Sequence, residues 1–316
     1  MAKVSFIIPA FKRKFLAATI SSILSQTYRD FELVVVDDCS PEDIKSIVDG
    51  FNDKRLSYYR NKSNIGGQSL VAAWNHALEF AHGEWCIMAG DDDVYLPRYL
   101  EEMLRLIEKY PKCDIVHGRI AVIDSEGQWS YVAEERCEFE TQIQMAYSRA
   151  VRRNLQVLPD FMFRISKLKA IGGFVNTPLA WCSDDATWIA LSKNGVACSS
   201  EVLFLFRNSG LNISSRTDNV IAKIDSVEKY RRWLSEQYKF FIPTSIEDEF
   251  LLSRLPNGVN HALDKEVCRL MWDVSLFRWI GVIHEQRFKK KTLVRLLIER
   301  MLLIRHIVRL RQKLLA

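Results

Sequence analysis

From Val4 to Ile107, short apolar runs alternate with segments whose apolar positions recur at helical spacing. VSFIIP (Val4 to Pro9), FELVVV (Phe31 to Val36), LSYYR (Leu56 to Arg60) and EWCIMAG (from Glu84) read as strands. The second is β-branched and apolar at both parities, the mark of a strand buried on both faces. FLAATISSILSQ (Phe15 to Gln26), PEDIKSIVDGF (from Pro41) and SLVAAWNHALEFAH (from Ser69) read as helices. For the second of these the expected start has Ser40 as N-cap, Pro41 at the first helical position and Asp43 three residues after the cap. A further helix is expected with Pro97 near its start and Leu100, Leu104 and Ile107 on one face. Such alternation implies right-handed parallel crossovers and an open sheet covered on both sides.

After residue 113 the pattern loosens. DIVHGRIAVID (from Asp114) reads as a strand or hairpin arm, and Glu134 to Leu158 is polar, then amphipathic. VLPDFMFRISKLKAIGGF (from Val157) predicts a strand, a short helix and a stop at Gly172-Gly173. DDATWIALSKNG predicts a helix closed by Gly195, followed by the strand VACSSEVLFLFR (Val196 to Arg207). Beyond about residue 220 strand signals vanish; VEKYRRWLSEQY and the last thirty residues are helical in pattern. The expected organisation is an α/β domain over 1–220 and a helical C-terminal region over 221–316, with no internal repeats.

Composition changes this picture little. At 48% hydrophobic and 26% charged, the 316-residue chain has the balance of a soluble globular protein. Seven cysteines, without a CxxC or a histidine-paired spacing, read as reduced thiols in a cytoplasmic protein and not as a zinc site. The start MAKVSFIIPAF lacks the pattern of a signal peptide, and no apolar run is long enough to span a membrane. Charge changes it more. The net charge is +5, yet Arg287 to Lys313 holds ten Lys or Arg against the single acid Glu299, so the rest of the chain is slightly acidic.

Candidate chemistry gathers where strands end. Asp37-Asp38 follow FELVVV, and Asp91-Asp92-Asp93 follow EWCIMAG. Carboxylates so close repel one another unless a cation or hydrogen-bond donors lie between them. The carboxyl ends of strands are also where ligands bind in open α/β sheets. A helix cap accounts for Ser40 and Asp43, but not for two further carboxylates. NIGGQSLVAAWN, with Asn64 and Gly66, is a Gly-rich loop opening a helix, able to turn backbone N–H groups toward an anion. It is neither a P-loop nor a dinucleotide fingerprint. Lys12 and Arg13, after the first strand, could face phosphate or solvent. SDDATW places Asp184 and Asp185 at a helix start, either as a cap or as a general base toward a hydroxyl.

In this order and spacing, over about residues 3–215, these motifs resemble the family 2 glycosyltransferases of the GT-A fold, an α/β Rossmann-like open sheet. The resemblance rests on VSFIIPAFKR, DDCSPED, NIGG before a helix, the acidic cluster before VYLP, a GGF turn and an acidic pair opening a helix. It implies inverting transfer of a sugar from a nucleotide sugar, most often a UDP-sugar, to an acceptor hydroxyl, with Mn2+ or Mg2+. The implied acceptor is a glycan or lipid-linked sugar in surface polysaccharide synthesis. Under it Pro9, Ala10 and Phe11 would line the base and Asp38 would bond the uracil or ribose. Arg13, Asn64 and Gly66 would border the donor and Asp91 would face the ribose. Asp92, with Asp93, would bind the metal on the diphosphate. Asp185 would be the catalytic base, with Asp184 the fallback. Two departures stand out. Gly90 occupies the first position of the family's Asp-x-Asp-Asp, and Ser209 stands where an Arg-x-His pattern has histidine. Weaker metal affinity, or less strict metal dependence, is the expectation.

The C-terminal segment lies outside the resemblance. On a helical projection Leu297, Met301, Ile304 and Val308 share a face, with Arg295, Glu299, His306, Arg309 and Lys313 on another. It can pack on the domain or lie, through 287–313, on an anionic membrane surface at the inner face. Nucleic acid is disfavoured because interleaved aromatics are lacking. The rivals are a nucleotidyltransferase, which would want a glycine-bearing loop after the first strand, and a catalytically silent sugar-nucleotide binder or membrane-associated scaffold.

Overall fold

The computed structural model describes residues 3–152, 154–210 and 219–272. The first half contains β1 (Val4–Ala10), α1 (Leu16–Leu24), β2 (Phe31–Asp37), α2 (Ile44–Asp49), β3 (Leu56–Arg60), α3 (Leu70–Ala77), β4 (Trp85–Met88), β5 (Val94–Tyr95) and α4 (Tyr99–Lys109). Then come β6 (Ile115–Ile123), β7 (Trp129–Val132), β8 (Phe139–Glu140), α5 (Gln142–Ala150), β9 (Phe161–Arg164), α6 (Ile165–Ala170), α7 (Ser183–Leu191), β10 (Val196–Arg207), α8 (Val220–Gln237) and α9 (Ile246–Trp272). Among the described residues these strands form one sheet, ordered β3-β2-β1-β4-β9-β6-β10-β5, with β7 on β6 and β8 on β10.

The β-branched runs are central strands because both of their faces find cover. Ile7, Val34 and Val36 join one buried cluster, with Phe161, Phe163 and Trp188. Their alternates Phe6, Ile8, Leu33 and Val35 join the other, with α1 and α4 residues such as Ile20, Leu100 and Met103. β1 to β4 run parallel, as the alternation requires. Beyond β4, where the sequence pattern loosens, antiparallel strands enter the sheet. There β9 is inserted antiparallel between β4 and β6, pairing Trp85 with Arg164 and His117 with Phe161. A four-residue strand buried on three of its positions carries no sequence signal of its direction.

The expected start of α2 is also corrected. Asp43, not Ser40, is its N-cap and accepts from Ser46 N at 3.1 Å. Ser40 turns back instead, donating Oγ–H to Phe11 O at 2.6 Å, after a left-handed residue at Cys39 (φ 55). The Gly172-Gly173 stop and the closure at Gly195 are left-handed, at φ 87, 90 and 86. Past the expected boundary near 220, α8 and α9 contribute Val227, Tyr230, Leu255 and Leu263 to the cluster that holds Phe161 and Trp188. Among the described residues no cysteine pair forms a disulfide. Among the described residues no helix is long and apolar enough to cross a membrane. The basic segment 287–313 lies outside the described residues.

Candidate active site

Register brings Ala10, Asp37 and Arg60 level at the carboxyl ends of β1, β2 and β3. Asp37 is fully buried and its oxygens are spent on the protein. It accepts from Ser40 N at 2.8 Å, from Tyr58 Oη at 2.7 Å and from the Arg60 guanidinium. Asp38 is similarly occupied, by Asn61 Nδ2 at 2.7 Å, Ile65 N at 2.9 Å and Gly66 N at 2.6 Å. The Gly-rich loop therefore does turn its N–H groups to an anion, and that anion is Asp38. A side chain at Gly66 would put Cβ 2.8 Å from Asp38 Oδ2, so only glycine allows the approach. Asn64 Oδ1 accepts from Gly67 N at 2.6 Å within the same loop.

The cluster after β4 is balanced differently. Asp91 accepts from Phe11 N at 3.0 Å and Lys12 N at 2.7 Å, tying the β1–α1 loop to the end of β4. Lys12 Nζ lies between Asp91 Oδ1 at 3.0 Å and Asp92 Oδ2 at 2.8 Å. Burial raises the Asp91 pKa, with Lys12 acting against it and Asp92 for it. Asp93, expected beside Asp92 at a cation, turns inward and accepts from Arg207 N at 2.9 Å. Burial first, and Asp92 next, push its pKa well above the ordinary carboxylate value. Gly90 gains a reason: a Cβ there would come within 2.5 Å of Asp93 Oδ2. Of the expected donor-lining residues, Ala10 is buried, Phe11 is 39% exposed and Arg13 is exposed, its N–H donated to Glu42 Oε2 at 2.6 Å. Pro9 is half-buried within β1.

The cluster can be tested as a cation site on its donors. Among the described residues no group of three or more His, Cys, Asp or Glu could hold a metal unaided. Mg2+ and Mn2+ are ordinarily held by one or two carboxylates together with substrate phosphates. Asp91 and Asp92 meet that lesser requirement, and the Lys12 ammonium already marks a point between them where positive charge is stabilised. The residues fit a shared cation, with Lys12 as the group it would displace.

Asp184 and Asp185 open α7 on the other half of the sheet. The approach is strained, since Leu179, Ala180 and Cys182 all take left-handed φ of 54, 54 and 64. Each such residue costs on the order of 1–3 kcal/mol, and strain of this kind collects at functional sites. Asp185 is 1% exposed; it accepts from Arg149 Nε and from Gln156 Nε2 at 3.2 Å. Asp184 is half-buried, and burial, then Asp185, push its pKa up to about 7. Arg149, Gln156 and Arg207 carry these contacts and were not singled out by sequence. Arg149 stands in an amphipathic stretch where arginine is an ordinary surface residue, and only the doubled Arg152–Arg153 nearby hints at charge concentrated there.

Comparison with known proteins adds the following. The model of the family described as Glycosyl transferase family 2 matches residues 5–170. An uncharacterized glycosyltransferase of Haemophilus influenzae is 25% identical over 203 residues, covering 57% of this chain and 67% of that protein. WcaA of Escherichia coli, named as a colanic acid biosynthesis glycosyl transferase, is 36% identical over 104 residues, covering 32% and 36%. The chain thus spans about a third of WcaA. Among solved structures, S. aureus TarS residues 1–349 in complex with UDP-GlcNAc superposes with a TM-score of 0.56 at 18% identity, covering 85% of this chain and 83% of that one. The mannosyltransferase PcManGT of Pyrobaculum calidifontis, in complex with GDP-Man and Mn2+, gives 0.54 at 14%, covering 95% and 85%.

Proposed function

The chain belongs to glycosyl transferase family 2 and has its GT-A fold, and from that premise we propose that it moves a sugar from a nucleotide-sugar donor to an acceptor hydroxyl with inversion. The observation that carries this is the meeting of Lys12, Asp91 and Asp92 where β1 and β4 end, with Phe11 exposed beside them. The donor base would lie along Pro9, Ala10 and Phe11, with Asp38 and the Asn64–Gly66 loop at its edge. Asp91 would face the ribose. Asp92, with Asp91 beside it, would hold a Mn2+ or Mg2+ ion, which when bound neutralises charge on the diphosphate.

The proton of the attacking hydroxyl would go to the pair at the start of α7. Asp185 would be the base, as the family resemblance implies, with Arg149 and Gln156 bonded to it and holding its orientation. Asp184, raised to about 7, has the basicity that proton transfer at neutral pH favours. A UDP-sugar is the proposed donor; UDP-GlcNAc in TarS supports it and GDP-Man in PcManGT is the alternative. WcaA supports an acceptor in polysaccharide synthesis, a glycan or lipid-linked sugar. We place the protein in the cytoplasm, peripheral to the membrane through 287–313.

A thermal-shift panel of nucleotide sugars, each with and without Mn2+, tests the site. A ligand at a hundred times its Kd adds about 2.7 kcal/mol. A Mn2+-dependent shift with one nucleotide sugar is expected, and no shift with any would sink the assignment. The second proposal, a silent sugar-nucleotide binder, is favoured by one observation: Asp185 is buried and ion-paired. Asp185→Asn separates the two. If the pair is the base, donor binding survives and transfer falls by roughly 100-fold or more.

A further inference from the structure

Between β6, the segment that follows β7, and the C-terminal end of α5 lies a cavity of about 230 Å³. His117, Arg119, Arg136, Arg149 and Arg152 line it, against a single lining carboxylate, Glu134. Two of these cations are buried and incompletely bonded. The Arg136 side chain is 5% exposed and its Nη1 has no hydrogen-bond partner among the described residues. His117 is 2% exposed and its Nε2 has none either. Leaving a buried donor unsatisfied costs about 1–3 kcal/mol, more when it is charged, so such atoms point to an absent acceptor.

Three further carboxylates, outside the lining, bond these side chains. Asp160 Oδ2 lies 3.1 Å from His117 Nδ1, the ring nitrogen other than the orphan. Burial disfavours charge on His117, and the Cys198 and Asp160 contacts more than offset it, raising its pKa. Glu140 pairs with Arg136 through Nε and Nη2, leaving Nη1 over. Asp185 takes Arg149 through Nε. Glu135 Oε2 lies 3.9 Å from Arg119 Nη1. What remains unbonded on the lining is Arg136 Nη1 and His117 Nε2, with Arg152 beside them, the kind of side chains that gather around an oxyanion.

We propose that this cavity is an acceptor subsite, and that the acceptor carries an oxyanion, phosphoryl or uronic carboxylate, held by Arg136, His117, Arg149 and Arg152. The assignment rests on the transferase reading above. Nothing from residues 1–116 lines the cavity, so the donor end of the sheet, with Lys12, Asp91 and Asp92, contributes no wall to it. Arg149 is common to both parts: it lines the cavity and bonds Asp185. An acceptor anchored by its anion would therefore bring a hydroxyl toward the Asp184–Asp185 pair. The volume exceeds that of several waters, about 30 Å³ each, but falls below the roughly 300–1,000 Å³ of drug-sized pockets. It suits one charged group and part of one sugar.

The test is calorimetric titration of the full chain with inorganic phosphate, glycerol 3-phosphate and glucuronate, alone and in the presence of UDP or GDP. Wild type is expected to bind at least one of them, and nucleotide should not compete. Arg152→Gln, at an exposed position, should weaken that affinity about tenfold while nucleotide affinity stays put. Arg136→Lys, which keeps charge but loses the planar fork, should weaken it as well. A preference for glycerol 3-phosphate assigns a phosphoryl acceptor, and a preference for glucuronate a uronic one. Failure of all three to bind wild type, or binding indifferent to both substitutions, overturns the oxyanion site. Displacement by nucleotide also overturns it as an acceptor site, giving the cavity to the donor diphosphate. Oxyanion binding that responds to both substitutions in a protein that binds no nucleotide overturns the transferase reading instead, and the acceptor role with it.

Discussion

The acidic clusters at the ends of β2 and β4 look alike in sequence and differ in how they are neutralised. Asp37 and Asp38 meet donors in surplus: a guanidinium, a phenol, a side-chain amide and three backbone N–H groups. Asp91 and Asp92 share one ammonium, and Asp93 beside them accepts from a backbone N–H while burial pushes its pKa up. The first cluster is mostly a clamp on the loops that follow β2 and β3. The second retains acidity that its own chain does not fully offset. A pair of aspartates after a strand is therefore ambiguous until the donors around it are known, and residual charge separates a binding site from a clamp.

That contrast can be broken from either side. The largest effect is expected from Asp92→Ala, which should weaken Mn2+-dependent nucleotide binding by about 100-fold or more in a calorimetric titration. Equal binding with and without the substitution would remove the distinction. Asp37→Asn should cost about 2 kcal/mol in urea unfolding, since a buried acceptor of several hydrogen bonds is weakened, while nucleotide affinity is unchanged. The exposed side of its pairing with Arg60 adds little to that figure. Lys12→Met should raise Mn2+ affinity by about tenfold, read by electron paramagnetic resonance of the free ion, because an internal competitor has gone. Lower affinity would make Lys12 a partner of the ion instead.

The smallest effect concerns pH. The folded state holds Asp184 protonated up to about pH 7, above the ordinary 3.8 of a carboxyl. Between those values the native state binds more protons than the unfolded one, so this group's contribution to stability falls as pH rises. Asp91 and Asp93 are shifted in the same direction. The measurement is thus the difference between wild type and Asp184→Asn across pH 4 to 8, where the variant should lose stability less steeply. Parallel curves would refute the shift.

Much of the first half was legible because strand and helix periods alternate there without interruption: β3 falls on Leu56–Arg60 as expected. The antiparallel β9 was not legible, since its direction depends on which slot in the sheet stays open. Site positions could be read from the strand ends. Their partners could not: Lys12 reaches Asp92 across 80 residues, and Arg149 reaches Asp185 from a helix that sequence marks only as amphipathic. Two of the cations lining the cavity, His117 and Arg136, lie 19 residues apart with no motif between them.

The Lys12 ammonium has one more consequence. A turn lined by acids that waited for an ion from solution would leave a newly made chain unable to finish that corner of its fold. With Lys12 between Asp91 and Asp92, the chain itself supplies a positive charge to that corner. Any ion taken up there would arrive by exchange with Lys12 at a finished corner, so assembly would not wait on its supply.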